Sequence, residues 1–472
     1  MDRWKGVAAA TLLVTVGCAG VTTPAGRGSP APSAAFSTQR ALAHLDALQR
    51  IADEHGGVRA VGRPGFERSM EYVTEQLERA GYRVARHRFD LPLFEEPEPV
   101  RVTIDGGPSY SDADHARALI YSPAGRMTAR LDEVARADDG EPRGAGGCES
   151  ADWRGFREGR IALLAPAPCF RRAHIELAQA AGAAAAIVVY PEWGRGEIRR
   201  PTLLTPDGLE IPAVAVGAEI GRALDDALRL DADVTLSVTT RTRDATSVNL
   251  TADRRGTGDG VVVVGAHLDS VLEGPGINDN GSGVAALLEI ATALAERPPP
   301  RHTVRFAFWS GEELGVLGSR AYVDSLDARD LDALVAYLNA DMLASHNAGR
   351  FVYADDGAAP GSEPITDLLL DRLDSTGAPA EPVDLRGGSD HGPFLRAGVP
   401  TGGVYSGGLE RMTPEQAARF GGDAAEPMDS CYHLACDRVD RVNQDSLDAL
   451  SRALAHAVME LAAGAPGSGA GG

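Results

Sequence analysis

The stretch VVVVGAHLDSVLEGPGINDNGSGVAALLEIATALA, residues 261–295, has the pattern of one strand, one loop and one helix. The β-branched run Val261 to Val264 predicts a buried strand. From Gly283 to Ala295 the apolar residues recur at helical spacing, at Val284, Leu287, Leu288, Ala291 and Leu294. The change of period from strand to helix predicts a strand that crosses to a helix on the face of a sheet.

The same alternation extends in both directions from this unit. Two further apolar runs, Val304 to Phe308 and Leu334 to Leu338, predict additional strands. Upstream, helical patterns begin at Thr38 and end before Gly81. Alternating strands and helices predict an α/β fold with a mixed, largely parallel sheet flanked by helices.

The chain of 472 residues is long enough for two domains, and its pattern of apolar residues changes in the middle. Between residues 97 and 245 short β-like runs surround one alanine-rich helical stretch, Ala173 to Ala181. This segment interrupts the α/β pattern, so we expect a β-rich second domain to be inserted into the first.

Composition excludes some classes of function. Hydrophobic residues make up 43% and charged residues 24% of the chain, as in ordinary globular proteins. The formal net charge of −21 argues against a nucleic-acid partner, because phosphate binding requires a basic surface.

Polar residues that can bind metal follow each predicted strand of the α/β domain. His267 and Asp269 follow the first strand, the pair Glu312 and Glu313 the second, and Asp341 the third. Ligands bind at the carboxyl ends of strands in open α/β sheets, where these residues would meet. Taken singly, a histidine at a strand end is more often an ordinary polar residue, and paired glutamates are usually solvated. Their joint occurrence favours a metal site.

Two more candidates complete this set. Asp279 lies in the turn Gly276–Gly281 that precedes the predicted helix, and His433 lies near the end of the chain. An Asp-Asn-Gly sequence is usually only a turn. Imidazole and carboxylate groups are, however, suitable ligands for catalytic zinc.

The order of these motifs resembles the M28 family of co-catalytic zinc peptidases, and in particular its secreted bacterial aminopeptidases. The matching segments are His267–Leu268–Asp269, Asp279–Asn280, Glu312–Glu313, Asp341–Met342, Ser389–Phe394, Pro400–Gly403 and Cys431–Asp437. The resemblance covers residues 38–96 and 246–463, which we therefore predict to form a zinc exopeptidase domain acting on peptide substrates.

The resemblance implies a role for each residue type. Asp279 would bridge two zinc ions; His267 and Asp341 would complete one site, and Glu313 and His433 the other. A bridging carboxylate suits this role because each of its oxygens can face one cation.

Three further roles follow from the same resemblance. Glu312 would be the general base. The Tyr432 hydroxyl would stabilise the oxyanion, with simple packing as the alternative. Asp269 would hold the second imidazole N–H of His267 and so fix its tautomer.

The inserted segment, residues 97–245, resembles the protease-associated (PA) domain found in several exopeptidase families. The similarity lies in Gly147–Cys148 with Asp152, in Gly159–Leu164, in Cys169–Phe170 and in Ala178–Ala183. Such a domain covers or shapes access to a neighbouring active site. A β-rich spacer without this role is the alternative.

One departure from the family pattern leaves undecided which end of the peptide substrate is recognised. Related aminopeptidases often carry arginine directly before the Ser389–Asp390–His391 segment, where this chain has Gly388, with Arg386 two residues earlier. A zinc carboxypeptidase or dipeptidase of the same fold would need a cation, such as Arg386 or Arg411, for a terminal carboxylate. A one-zinc glutaminyl cyclase and a non-catalytic binding module fit the full ligand set less well.

The N-terminal residues have the pattern of an export signal. Charged residues precede an apolar run, Val7 to Val16, that is too short to span a membrane. The segment Val16–Ala19 resembles a bacterial lipoprotein cleavage box, in which Cys18 becomes the acylated first residue of the mature protein; we assign residues 1–18 to this lipoprotein-type signal region. Ordinary secretion is the alternative. Residues 19–37 and 464–472 have the composition of a flexible tether and a flexible tail.

The five cysteines support export, because four form two local pairs once Cys18 is set aside. Cys148 with Cys169 and Cys431 with Cys436 are candidate disulfides in an oxidising compartment. A zinc site built on these cysteines is the alternative.

Overall fold

A computed structural model describes residues 36–134 and 146–464. The predicted signal peptide, the lipidation site Cys18, and nearly all of the tether and of the tail lie outside the described residues. The strands of the described residues form two eight-stranded sheets. No helix within the described ranges is both long and apolar enough to cross a membrane.

The first sheet contains the strands predicted around residues 261–338. In chain order its strands are β1 (Val84–Glu95), β10 (Arg241–Arg254), β11 (Val261–His267), β12 (Thr303–Trp309), β13 (Leu334–Ala340), β14 (Phe351–Tyr353), β15 (Glu381–Val383) and β16 (Thr401–Tyr405). Their order across the sheet is β1-β10-β12-β11-β13-β16-β14-β15. Strands β12, β11, β13 and β16 run parallel, whereas β1, β10 and β14 introduce antiparallel pairs. The predicted mixed, largely parallel sheet is confirmed.

Helices cover both faces of this sheet, which explains why β11 is a continuous β-branched run. In chain order these helices are α1 (Thr38–Glu54), α2 (Pro64–Arg79), α5 (Gly283–Ala295), α6 (Leu317–Asp324), α7 (Ala328–Asp332), α8 (Ser362–Ser375), α9 (His391–Arg396), α10 (Pro414–Phe420) and α11 (Gln444–Ala463). Val262 and Val264 belong to the core beneath α5 and α11, while Val263 packs with Phe394 of α9 on the opposite face.

The second sheet lies entirely between β1 and β10 in the chain. Its strands are β2 (Arg101–Ile104), β3 (Ser109–Tyr110), β4 (Ala116–Ala118), β5 (Gly125–Glu133), β6 (Ile161–Leu164), β7 (Ala185–Tyr190), β8 (Ala213–Gly217) and β9 (Asp233–Val238). Strands β5 to β8 are parallel neighbours, and helices α3 (Arg171–Ala180) and α4 (Ala218–Arg229) pack on them. The sequence predicted α3 but not α4.

The chain leaves the first sheet for the second sheet, and returns from it, through one antiparallel pair of strands. Strands β1 and β10 pair from Val84 opposite Ala252 to Glu95 opposite Arg241. The Glu95 carboxylate accepts hydrogen bonds from Arg241 and Arg243 at this end of the ladder. The domain boundary that we predicted at residues 245–246 lies inside β10.

Candidate metal centre

The carboxyl edge of the first sheet brings the predicted ligands together. His267 is the last residue of β11, Asp341 directly follows β13, and Glu313 lies in the loop between β12 and α6. Asp279 lies in an irregular turn, Ile277–Ser282, that leads into α5. His433 approaches from the loop that precedes α11, with a left-handed φ of 59°.

Asp279 lies between the two imidazoles. Its Oδ1 is 3.3 Å from His267 Nε2, and its Oδ2 is 3.1 Å from His433 Nε2. His267 Nε2 is also 3.3 Å from Asp341 Oδ1, and His433 Nε2 is 3.1 Å from Glu313 Oε2. The five side chains therefore form two groups that share one carboxylate.

The chemistry of this donor set fits bound cations. Asp341 Oδ1 and Glu313 Oε1 are buried, and neither has a hydrogen-bond partner among the residues described. One ligand atom from each of His267, Asp279 and Glu313 lies within 4.8 Å of the others. Three carboxylates gathered around two imidazoles carry excess negative charge, and buried charge requires a partner. Nitrogen and oxygen donors of this kind suit zinc.

Polar residues around the ligands fix their orientation. The Ser389 hydroxyl donates to Asp341 Oδ2 at 2.6 Å, in the segment that contributed to the family resemblance. The Asp437 carboxylate accepts the backbone N–H groups of Asn278 and Asp279, at 2.7 and 3.0 Å. Asp437 is absent from the predicted site, although its position directly after the Cys431–Cys436 pair was a usable signal.

Asp269 meets the second imidazole nitrogen of His267 through its backbone and not through its side chain. His267 Nδ1 lies 3.1 Å from the backbone carbonyl oxygen of Asp269, whereas the nearest carboxylate oxygen is 3.9 Å away. That carboxylate instead accepts the backbone N–H groups of Gly311, Glu312 and Glu313. Backbone N–H groups of the next loop are nearer and better aligned than the imidazole, so Asp269 orients the glutamate loop.

Arg59 is a second residue that sequence reasoning missed. It is fully buried between α1 and α2. Its guanidinium donates to the backbone carbonyls of Leu268, Pro275 and Gly276, which belong to the loop between His267 and Asp279. Burial lowers the pKa of Arg59 to about 10, so the group stays charged at neutral pH. No periodic pattern marks a lone arginine in a glycine-rich turn.

Glu312 and Tyr432 line a cleft of about 590 Å³, which lies between the domain of the first sheet and the inserted domain of the second sheet. Burial raises the pKa of Glu312 well above its usual range, assisted by the negative charge of Glu313 and opposed by His267. Burial also raises the pKa of Tyr432, so its hydroxyl remains protonated and able to donate. The Tyr432 ring stacks on His433 with 3.8 Å between centroids.

Apolar and cationic residues from both domains line the remainder of the cleft. Phe170 of the inserted domain and Leu409 of the first domain are 45% and 38% exposed there. Arg386 and Gly388 also line the cleft. Arg411 does not, and its guanidinium donates to the backbone carbonyl of Ala425 instead.

Sequence comparison identifies both parts of the chain. The profile of peptidase family M28 matches residues 249–458, and the profile of the PA domain matches residues 133–224. The Probable lipoprotein aminopeptidase LpqL of Mycobacterium tuberculosis is 36% identical over 479 residues, which cover 96% of this chain and 92% of that protein. The chain belongs to peptidase family M28. This M28 peptidase is also 35% identical to an aminopeptidase of Pseudomonas aeruginosa, over 87% of this chain and 78% of the relative.

Solved structures show the same fold at lower identity. The aminopeptidase from Aneurinibacillus sp. strain AM-1 aligns with a TM-score of 0.71 at 24% identity, over 91% of this chain and 94% of that chain. A zinc aminopeptidase from Bacillus subtilis aligns with a TM-score of 0.68 at 24% identity, over 90% and 95% of the two chains. The M28 peptidase is therefore a hydrolase with the predicted architecture, a peptidase domain interrupted by a PA domain.

Both predicted cysteine pairs are disulfides. Cys148 bonds to Cys169 in the PA domain, and Cys431 bonds to Cys436 around Tyr432 and His433. The alternative of a zinc site on these cysteines is thereby excluded. The second bond closes the loop that presents His433 to Asp279.

Replacing Cys431 and Cys436 by serine is expected to affect turnover more than stability. This disulfide closes a short loop, so its loss lowers the free energy of unfolding by about 2 kcal/mol, because the unfolded chain gains entropy. The matched pair, Cys148 and Cys169, closes a longer loop, so its loss costs about 3 kcal/mol. Urea unfolding and kcat measured on both double variants test this expectation, and an equal loss of turnover in the two would contradict it.

Proposed function

We propose that this M28 peptidase is a zinc-dependent aminopeptidase with two zinc ions per chain. The observation that carries the proposal is the position of Asp279, whose two carboxylate oxygens face different imidazoles at 3.3 and 3.1 Å. His267 and Asp341 would hold one ion, and Glu313 and His433 the other. The relatives named above are aminopeptidases, and one fold neighbour is named a zinc aminopeptidase.

When bound, paired zinc ions lower the pKa of a water molecule and polarise the scissile carbonyl. The protein's own part in the reaction begins with Glu312, which accepts a proton from the attacking water. The same carboxyl group then returns this proton to the leaving amine. Burial raises the pKa of Glu312, so its ionised carboxylate is a stronger proton acceptor than an exposed glutamate.

Tyr432 would stabilise the negative charge that develops on the carbonyl oxygen. Its hydroxyl lines the cleft, stays protonated and has no hydrogen-bond partner within the described part of the chain. A donor that is already in place and unpaired costs little reorganisation when the oxyanion forms. The stacked His433 ring limits the directions that the phenol ring can take.

The substrate's free amino group would bind among the acidic groups of the site. Glu312 and Asp341 place carboxylate oxygens beside the proposed zinc ions, and an ammonium group complements a carboxylate oxygen. The apolar lining at Val316 and Leu409 favours an apolar first residue. The enzyme would thus trim peptides from the amino end.

Leucyl-para-nitroanilide is expected to be hydrolysed rapidly, and its N-acetylated form at least 100-fold more slowly, on the order of the loss expected when a buried charged group is left unpaired. Steady-state kcat/KM for the two compounds, with zinc present, provides the measurement. Comparable rates for the two would remove the requirement for a free amine.

A carboxypeptidase is the second candidate, and Arg386 is the observation that favours it. Its guanidinium is exposed in the cleft, where it could bind a terminal carboxylate. A peptide with a blocked amine and a free carboxyl terminus distinguishes the two activities. Release of its C-terminal residue would support the carboxypeptidase, and intact peptide supports the aminopeptidase.

We also propose that the protein is exported and anchored to a membrane by a lipid on Cys18. The lipoprotein-type segment Val16–Ala19 and the lipoprotein named among the relatives support this proposal. Mass spectrometry of the mature N-terminus tests it. An unmodified Cys18, or cleavage elsewhere, would favour ordinary secretion.

A further inference from the structure

One arginine of the PA domain contacts the loop that carries Tyr432 and His433. Arg199 lies in the segment between β7 and β8, and it is 7% exposed. Its Nε donates to the carbonyl oxygen of Tyr432 and its Nη2 to that of Ser430, both at 2.9 Å. The guanidinium packs over Trp193, 5.5 Å from the ring centroid.

The receiving loop, residues 429–436, is held at its start by the peptidase domain, where the Asp429 N–H donates to the Gly408 carbonyl and the Asn278 side chain donates to the Asp429 carboxylate. It contains neither helix nor strand, and His433 adopts a left-handed conformation. The Asp429 carboxylate accepts the N–H of Cys431, and the Cys431–Cys436 disulfide closes the loop. Arg199 supplies side-chain donors to two carbonyls that flank Cys431, from a different domain.

The next residue explains how Arg199 keeps its place. Arg200 forms buried ion pairs with Glu96 at 2.7 Å and with Glu273 at 2.9 Å. Glu273 belongs to the loop between His267 and Asp279, and Glu96 directly follows β1. Arg200 also donates to the Ala118 carbonyl of the PA domain. Consecutive arginines therefore contact the loop that precedes Asp279 and the loop that carries His433.

Arg59 provides a comparison within the peptidase domain. It holds the backbone of the loop before Asp279 through three carbonyls, as described above. Arg199 makes the equivalent contact with the loop of His433, but from the inserted domain. A planar guanidinium fixes two acceptors in one geometry, which the point charge of lysine cannot do.

We propose that Arg199 is a positioning residue, by which the PA domain holds Tyr432 and His433 toward the metal centre. The inference rests on the proposed function for its kinetic consequence, but its structural content does not depend on that function. It assigns the PA domain a part in building the active site, in addition to lining the cleft.

Arg199→Met tests the proposal in the full-length chain, with Arg199→Lys as the conservative variant. The matched control is Arg195→Met, because Arg195 is exposed in the same segment and its recorded ion pair, to Asp114, stays within the PA domain. The measurements are kcat and KM, the rate of zinc release to a chelator, and amide hydrogen exchange across residues 429–436.

In Arg199→Met we expect kcat to fall roughly 10- to 100-fold, with KM changed less than about 3-fold, and zinc release to accelerate by about 10-fold. Exchange at residues 429–436 should become faster. Arg199→Lys should recover part of each effect, and Arg195→Met should match the unmodified protein. If Arg199→Met fails to fold, the lysine variant alone must show the changes in kcat and exchange.

Unchanged exchange and zinc release in both Arg199 variants would overturn the proposal. A lower melting temperature with normal kcat and zinc release would also overturn it, because that result indicates a merely structural contact. Absence of aminopeptidase activity in the unmodified protein would instead count against the proposed function, and the exchange comparison would still test Arg199.

Discussion

Glu312→Gln is expected to lower kcat by roughly 10²- to 10⁴-fold while zinc content and fold stay unchanged. Glutamine has nearly the same shape as glutamate but cannot accept a proton from water. Glu312 belongs to neither of the two groups around Asp279, so its replacement removes no predicted ligand. The measurement compares kcat for leucyl-para-nitroanilide with zinc content determined on the same sample.

The control for this substitution is Glu363→Gln, at an exposed position in the first turn of α8. It makes the same chemical change far from the cleft, and its kcat should equal that of the unmodified enzyme. A Glu312→Gln variant with near-normal kcat would show that another group acts as the base. Loss of zinc in that variant would show that Glu312 is a ligand.

Asp279→Asn is expected to abolish activity by a different route, the loss of metal. An amide offers one oxygen and no charge, so it cannot serve two cations at once. Zinc affinity should fall by more than the roughly 10- to 100-fold that replacing an outer partner of a metal ligand costs. Zinc content after gel filtration should fall below one ion per chain, and kcat/KM should fall with it.

Asp371→Asn is the matched control, since Asp371 is exposed on α8 and lies outside the metal centre. Circular dichroism of both variants verifies that the fold persists. An Asp279→Asn protein that retains two zinc ions would contradict the bridging role. Retention of one ion with partial activity would indicate that a single site supports catalysis.

The first sheet, and the position of the ligand candidates at its carboxyl edge, were predictable because buried strands appear in the sequence as continuous apolar runs. Strand β11 is buried on both faces, so its β-branched run is visible without any structure. The strand continues to His267, three residues beyond the predicted run, and the side chain still reaches the carboxyl edge of the sheet. Helix α5 begins at Gly283, as its apolar spacing predicted.

What could not be predicted depends on contacts between distant parts of the chain. Asp269 was expected to hold the imidazole of His267, but the sequence does not show that its backbone carbonyl lies at this contact while its carboxylate binds the glutamate loop. Arg59 and Arg199 bind backbone carbonyls, which have no sequence signature. Helix α4 was not predicted, because the short strands on either side of it, β8 and β9, dominate the pattern of that segment.

Strands β1 and β10 form an antiparallel pair, and the PA domain takes the place of the turn that would join them in a β-hairpin. The two ends of the PA domain leave the sheet side by side at Glu95 and Arg241, which are opposite each other in the ladder. Domain insertion succeeds mostly at exposed connections of this kind, where the two ends of the inserted chain lie close together. Grafting a different module would be tolerated by the sheet, but only a module that delivers a guanidinium to Ser430 and Tyr432 would restore the support of the His433 loop.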